Sequence, residues 1–158
     1  MSTFCFIATD KELPEVDYTN RQIITLREAI AQGSIKEDIG GYKFKNLDAP
    51  MVSYESYDDF HALQIHPWNG YMHEIEYYTD KPYIYEVIFR ASEKNIQHLI
   101  AYLQDNIHAG ESLELWKIWL DDFQKVNPKS ILLKYLKARD LEKWMSKGPC
   151  CLHIKESQ

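Results

Sequence analysis

The sequence predicts a single α+β domain over residues 1–158, built on an antiparallel sheet. Two observations support this fold class. Hydrophobic residues make up 45% and charged residues 27% of the chain, which is a globular composition. Over residues 83–155 the predicted order is strand, helix, strand, strand, helix, strand, which is the ferredoxin-like order. No repeat or low-complexity linker interrupts the chain, so we expect residues 1–82 to pack with this C-terminal half.

The N-terminal half begins with a short buried strand, predicted over residues 4–8. Thr19 and Gln22 fit a capping box, and apolar residues at helical spacing follow them. This pattern predicts a helix over about residues 20–32.

Glycine and proline residues interrupt residues 34–82, where the pattern is weakest. Residues 51–54 fit a strand. Residues 58–66 fit either a strand or one helical turn, and the aromatic-rich residues 71–78 fit either state.

The signals become stronger after residue 82. Alternating side chains predict a strand over residues 83–89. Ser92 is a suitable N-cap for a helix, because apolar residues at helical spacing follow it as far as Gly110. Aromatic and branched side chains predict the next strand over residues 112–120.

The last three elements complete the ferredoxin-like order. They are a strand or helix at residues 131–136, a short amphipathic helix around residues 141–145, and a strand at residues 150–154. In this fold the strands at 83–89 and 150–154 pair directly, and two helices cover one face of the sheet. The other face needs a cover from the N-terminal half or from a partner, since residues such as Trp116 are too apolar to face water.

Charge is uneven along the chain. Residues 1–80 carry 6 Lys and Arg against 14 Asp and Glu, whereas residues 81–158 carry 12 against 10. An acidic front half argues against a nucleic-acid partner, because binding phosphates requires dense positive charge. No apolar run approaches the roughly 18 residues that a membrane span needs, so no membrane partner is expected.

The three cysteines indicate a reducing compartment. The N-terminus lacks the pattern of an export signal, and no C-x-x-C motif for zinc or redox chemistry occurs. We therefore expect a cytoplasmic protein with free thiols.

Residues 5–14, Cys-Phe-Ile-Ala-Thr-Asp-Lys-Glu-Leu-Pro, resemble the start of a family of small uncharacterised proteins from Gram-positive bacteria. Residues 81–85, Lys-Pro-Tyr-Ile-Tyr, are similar to a second segment of that family. The resemblance implies a cytoplasmic bacterial protein. It implies no activity and no catalytic residues.

One candidate site is a histidine-rich segment. His61, His66 and His73 fall within 13 residues, and Glu74 follows directly. Imidazole and carboxylate groups suit zinc or another divalent metal, which needs three or four converging ligands. The H-E-x-x-H motif is incomplete, because position 77 is Tyr77. The alternative is a set of surface histidines with no cofactor.

A second candidate is a cysteine nucleophile. Cys151 and His153 share one face of the last predicted strand, and a nearby Lys155 is expected to lower the thiol pKa. Cys5 and Cys150 are further choices. The alternative is that these cysteines are small buried hydrophobic residues.

A third candidate is a binding surface in the N-terminal half. Aromatic residues often contact partners, and Trp68 stands on a predicted loop where such contacts are common. The aromatic group also includes Tyr71, Tyr77, Tyr78, Tyr83 and Tyr85. Glu12, Glu15 and Asp17 would steer a basic partner electrostatically. The alternatives are core packing for the aromatic residues and a solubilising loop for the acidic ones.

The sequence favours a non-catalytic cytoplasmic protein that binds another protein, of the immunity or antitoxin type. The first alternative is a small metal-binding protein or enzyme that uses His61, His66, His73 and Glu74. The second is a homodimer that senses a small molecule between its subunits. These interpretations rest on protein class and not on a motif.

Overall fold

The computed structural model of the protein describes residues 2–158. Its strands are β1 (Thr3–Thr9), β2 (Val16–Asp17), β3 (Gln22–Thr25), β4 (Asp38–Ile39), β5 (Tyr42–Lys43), β6 (Pro50–Ser53), β7 (Gln64–Pro67), β8 (Tyr83–Ile88), β9 (Ser112–Trp119), β10 (Lys129–Leu132) and β11 (Cys150–Lys155). Its five α-helices within this range are α1 (Leu26–Ala31), α2 (Tyr57–Phe60), α3 (His73–Glu76), α4 (Glu93–Asn106) and α5 (Ala138–Ser146). A 3-10 turn covers Leu133–Tyr135. The structure is therefore of the mixed α+β class, as predicted.

The chain forms two compact units. The larger one combines residues 2–17 with residues 62–158, and it contains a seven-stranded sheet. The smaller one, residues 18–61, contains two antiparallel strand pairs, β3 with β6 and β4 with β5, together with α1 and α2.

The sheet of the larger unit has the order β10-β11-β9-β1-β8-β7-β2. All neighbouring strands are antiparallel except β10 and β11, which are parallel. β1 is the central strand, and Phe6 lies opposite Trp116 on β9 and opposite Glu86 on β8. Strands from both sides of residue 82 therefore share one sheet.

Apolar side chains cover both faces of this sheet, and each face packs against different elements. Side chains alternate along β1, so Ile7 points to one face while Phe4 and Phe6 point to the other. The face of Ile7 packs against α4 and α5, and we call it the helix face. The face of Phe4 and Phe6 packs against Ile75 of α3 and contains Trp116, and we call it the aromatic face.

Several predicted elements are confirmed. The Ser92 side chain accepts a hydrogen bond from Asn95 N and caps α4. The strands predicted at 4–8, 83–89, 112–120 and 150–154 correspond to β1, β8, β9 and β11. The helix predicted around 141–145 is α5, and the segment at 131–136 is divided between β10 and the 3-10 turn.

The helix predicted over residues 20–32 is wrong in its first half. Gln22–Thr25 form strand β3, which pairs with β6, and the helix begins only at Leu26. The capping box is formed by Thr25 and Glu28, whose side chains each bond the other's backbone N–H. Pairing with a distant strand therefore overrides the local helical pattern.

The ferredoxin-like arrangement is not confirmed. The direct pairing predicted between residues 83–89 and 150–154 is wrong, because β9 and β1 lie between β8 and β11. The N-terminal strand thus occupies the centre of the sheet. Within residues 2–158, no helix combines the length and the apolar character that crossing a bilayer requires.

Candidate functional site

Seven aromatic rings form a continuous series of contacts across the aromatic face. Successive ring centroids lie between 4.5 and 6.0 Å apart, which is the range of favourable aromatic pairs. In order, the rings belong to Trp68, Phe4, Phe6, Trp116, Tyr78, Tyr77 and Phe123. We call this series the aromatic layer.

Hydrogen bonds hold the aromatic layer in place. The Trp116 indole Nε1 donates to Glu114 Oε2 at 2.8 Å, and the same oxygen accepts from Thr79 Oγ1 at 2.7 Å. The Tyr78 hydroxyl donates to the Asp122 carbonyl at 2.7 Å. The segment after α3 is thereby fixed both to β9 and to the loop that follows β9.

One end of the aromatic layer is open to solvent. Tyr77 is 53% exposed and Phe123 is 49% exposed, although their rings meet edge to face with centroids 5.2 Å apart. Asp121 begins the loop that carries Phe123, and its φ of 63° is the left-handed conformation that Asp tolerates in turns. We call Tyr77 and Phe123 the aromatic ridge.

Four acidic residues lie close in sequence to the two residues of the aromatic ridge. We define the acidic rim as Glu74, Glu76, Asp121 and Asp122, of which Glu76 and Asp121 are exposed. Burial raises the pKa of the Tyr78 hydroxyl, and the nearby carboxylates of Asp122 and Glu74 act in the same direction. Aromatic rings and carboxylates that lie together suit a guanidinium or ammonium group.

The other end of the aromatic layer forms the wall of a cavity. Trp68 lines a space of about 200 Å³ together with Met72, Pro82 and Tyr83. The Trp68 ring packs on Phe4 at 4.5 Å, so it is half-buried and not a free loop residue. Its Nε1 donates to the carbonyl of the neighbouring Tyr71 at 3.3 Å.

The remaining predicted binding residues are exposed. Tyr71 is 85% exposed, and Glu12, Glu15 and Asp17 are also exposed.

The segment that carries the acidic residues is anchored on the helix face. Leu13 N donates to the Tyr85 hydroxyl at 2.8 Å, and the Pro14 carbonyl accepts from the Tyr102 hydroxyl at 2.9 Å. The acidic residues and Trp68 are therefore anchored to opposite faces of the sheet.

The predicted metal ligands form separate contacts. His66 Nε2 lies 3.6 Å from Glu86 Oε2, and His73 Nε2 lies 3.7 Å from Glu74 Oε1. His61 belongs to the smaller unit. Among residues 2–158, no group of three or more His, Cys, Asp or Glu side chains is arranged to hold a metal ion. The geometry gives no support to the predicted set.

The prediction of a low thiol pKa at Cys151 is wrong. Cys151 is buried, and burial raises its pKa, as do Glu114 and Cys150. Burial also raises the pKa of Cys5 to about 12. Cys150 is half-buried, and burial raises its pKa although Lys117 and Lys147 act in the opposite direction. The reactive form of a cysteine is the thiolate, so the effect of burial works against each of these thiols as a nucleophile.

The sequence analysis did not single out Lys117 or Phe123. Lys117 stands in a buried strand between Trp116 and Ile118, and its ammonium donates to the carbonyls of Met145 and Lys147 near the end of α5. A lysine inside an otherwise apolar strand is a signal that could have identified it. Phe123 had no comparable signal, because a loop separates it from the rest of the layer.

Comparisons of this chain with protein-family models, with curated proteins and with solved structures give no match. The resemblance of residues 5–14 and 81–85 to a bacterial family stays a prediction.

Proposed function

We propose that the protein is a non-catalytic cytoplasmic module that binds a partner protein through the aromatic ridge. The partner would present an arginine or lysine side chain between Tyr77 and the acidic rim. The observation that carries this proposal is the edge-to-face contact of Tyr77 and Phe123, two rings that stay about half exposed. A neutralising role of the immunity or antitoxin type is compatible with this chemistry.

Rigidity supports the proposal. Exposed aromatic residues contribute most to binding when they are already ordered, because ordering a side chain on association costs free energy. Tyr77 packs on Tyr78, and the Tyr78 hydroxyl bonds the Asp122 carbonyl of the loop that carries Phe123. The two rings of the ridge are therefore positioned before a partner arrives.

Charge supports a basic partner. The formal net charge of the chain is −6, and four of its carboxylates, those of the acidic rim, lie close in sequence to the ridge. A cation over an aromatic face gains about 0.5–1 kcal/mol at an exposed site, and a carboxylate beside it adds a charge-assisted hydrogen bond. Arginine satisfies both groups because its guanidinium is planar and can stack.

Site-specific photo-crosslinking tests the proposal. Two variants would be expressed in the cells that make the protein. A photoreactive phenylalanine replaces Phe123 in the first variant and Tyr135 in the second. Tyr135 is a matched control, since it is an aromatic residue that is 60% exposed on the 3-10 turn. We expect a discrete crosslinked protein only from position 123, with the attachment mapped beside arginine or lysine.

A second variant tests the acidic rim. The photoreactive residue would stay at position 123, and the same chain would carry Glu76→Lys. The proposal predicts that a crosslink to the same partner is lost with Glu76→Lys and kept with Glu142→Lys, an exposed carboxylate of α5. Equal crosslinking from positions 123 and 135, or none from 123, would overturn the proposal.

A further inference from the structure

A second concave site lies on the helix-face side, between α5 and the start of β11. The cavity has a volume of about 150 Å³, and its walls include Lys129, Lys143, Trp144, Lys147 and Cys150. We call it the basic cavity. Its volume corresponds to roughly five water molecules at about 30 Å³ each, which is room for a small tetrahedral ion.

Three lysines line the basic cavity. Lys143 lies in the last turn of α5, Lys147 is the C-cap residue directly after that helix, and Lys129 begins β10. One carboxylate, that of Asp140, also lines the space. It accepts a hydrogen bond from Lys137 N at 3.0 Å at the start of α5, so this carboxylate is already engaged by the helix N-terminus.

A buried cation lies behind the same walls. Lys117 is 8% exposed, and its ammonium donates to the carbonyls of Met145 and Lys147. Within residues 2–158 no carboxylate forms an ion pair with it. Its ammonium therefore offsets the negative end of the α5 dipole beside the cavity.

One residue that lines the cavity has a buried donor with no acceptor. Trp144 is 2% exposed, and its indole Nε1 is buried without a hydrogen-bond partner in the described structure. The Cys150 thiol also lines the cavity, where Lys117 and Lys147 both act to lower its pKa against the effect of burial. A surplus of donors and cations is the signature of a site for an anion.

We propose that the basic cavity binds a phosphate-type oxyanion, either free or carried by a small metabolite. Lys129, Lys143 and Lys147 approach from two elements and would each donate to a different oxygen. Lysine binds phosphate as a point charge, so three lysines suit a tetrahedral dianion better than a planar carboxylate. This site is independent of the aromatic ridge, which lies on the opposite face of the sheet.

NMR titration of the full chain tests the inference. Inorganic phosphate, glycerol 3-phosphate and adenosine 5′-monophosphate would be added separately, at constant ionic strength against sodium chloride. We expect saturable shifts of the Trp144 indole signal and of the amides of residues 147–152 with at least one of the three. Saturation with inorganic phosphate alone identifies the free ion, and tighter binding of an ester identifies a metabolite.

Paired variants locate the binding. Lys143→Gln with Lys147→Gln removes two charge-assisted contacts, and we expect about 100-fold weaker binding. Lys94→Gln with Lys134→Gln makes the same charge change at exposed positions outside the cavity and should leave binding unchanged. Lys129→Gln tests the wall formed by β10 in case the double variant does not fold. Linear shifts with all three anions, or binding that survives both Lys129→Gln and the double variant, would overturn the inference.

Discussion

The indole of Trp68 occupies the space beside Gly70 that any other side chain there would need. A Cβ atom at position 70 would lie 2.1 Å from Cζ2 of Trp68 and 2.6 Å from its Cε2. Gly70 therefore determines where the Trp68 ring stands, and with it the wall of the cavity at that end of the aromatic layer.

Replacing Gly70 with alanine should displace the Trp68 ring. The overlap is with a ring that also packs on Phe4, so we expect a loss of about 1–3 kcal/mol in the free energy of unfolding. Urea denaturation followed by tryptophan fluorescence measures it. Asn69→Ala, at the exposed neighbouring position, is the control and should change stability by less than about 0.5 kcal/mol. Equal stability of Gly70→Ala and wild type would contradict the packing described.

Glu114 should matter more as an acceptor than as a charge. Glu114→Ala leaves the indole N–H of the buried Trp116 without its acceptor, at a cost of about 1–3 kcal/mol. Glu114→Gln keeps an oxygen at the same place and should recover most of this loss. The measurement is the denaturation midpoint of each variant, and identical midpoints for the two would show that the hydrogen bond is not what stabilises the layer.

Lys117→Met should destabilise the protein although it places an apolar side chain in a buried position. Two carbonyls near the end of α5 would lose their donor, and each unsatisfied buried group costs about 1–3 kcal/mol. Lys94→Met, at an exposed position, is the matched control. Amide hydrogen exchange in the last turn of α5 should be faster in Lys117→Met than in the wild type, and it should be unchanged in Lys94→Met. Unchanged exchange there would mean that Lys117 does not cap the helix.

The three cysteines should react with an alkylating reagent in a fixed order. Cys5 and Cys150 are half-buried and Cys151 is buried, and burial raises the pKa of all three thiols, to about 12 for Cys5. At Cys150 the charges of Lys117 and Lys147 both oppose this rise. At pH 8 we expect iodoacetamide to label Cys150 first, because only a thiolate reacts and access is needed. Peptide mass mapping gives the order, and the unfolded chain, which should label at all three positions, is the control. Faster labelling of Cys151 than of Cys150 would contradict this prediction.

His153 should report its surroundings through its pKa. Burial lowers the pKa of this imidazole below its ordinary value, and the charge of Lys155 lowers it further. Its contribution to stability is therefore present above about pH 6.5 and lost as the pH falls through the folded-state pKa. Lys155→Ala should raise the pKa of His153 in an NMR titration, and Lys134→Ala should not. A shift of equal size in both variants would show that Lys155 has no specific effect.

Local signals were sufficient for some elements of the fold. The helix α4 was predictable because Ser92 and the apolar spacing after it lie within one segment, and the pattern and the cap agree. Residues 20–25 carry the same kind of signal, but the helix predicted there does not form. The observed capping box of Thr25 and Glu28 starts six residues after the one predicted at Thr19, and the pairing of β3 with β6 leaves no trace in a local window.

The candidate site was less predictable than the fold. The loop context of Trp68 indicates a contact residue, but the aromatic layer draws its rings from five separate stretches of chain, from Phe4 to Phe123. Which rings meet depends on β1 lying between β8 and β9, whereas the predicted ferredoxin-like order covers residues 83–155 and gives this strand no position in the sheet. The basic cavity is hidden in the sequence for a related reason. Its lysines belong to a basic stretch over residues 129–147, which acidic and apolar residues interrupt and which therefore reads as a solvated face until α5 is placed against β11.

The central position of β1 also constrains how the chain can fold during synthesis. During synthesis β1 emerges before both of its partners. One partner, β8, begins at Tyr83, opposite Thr9, and the other, β9, extends to Trp119. Every ladder hydrogen bond of β1 closes a loop of more than 70 residues, and such distant pairing makes folding slow. The apolar residues of β1 therefore stay unpaired on the nascent chain until β8 and β9 have emerged, and this strand is the part of the sheet that is exposed to wrong pairing for the longest time.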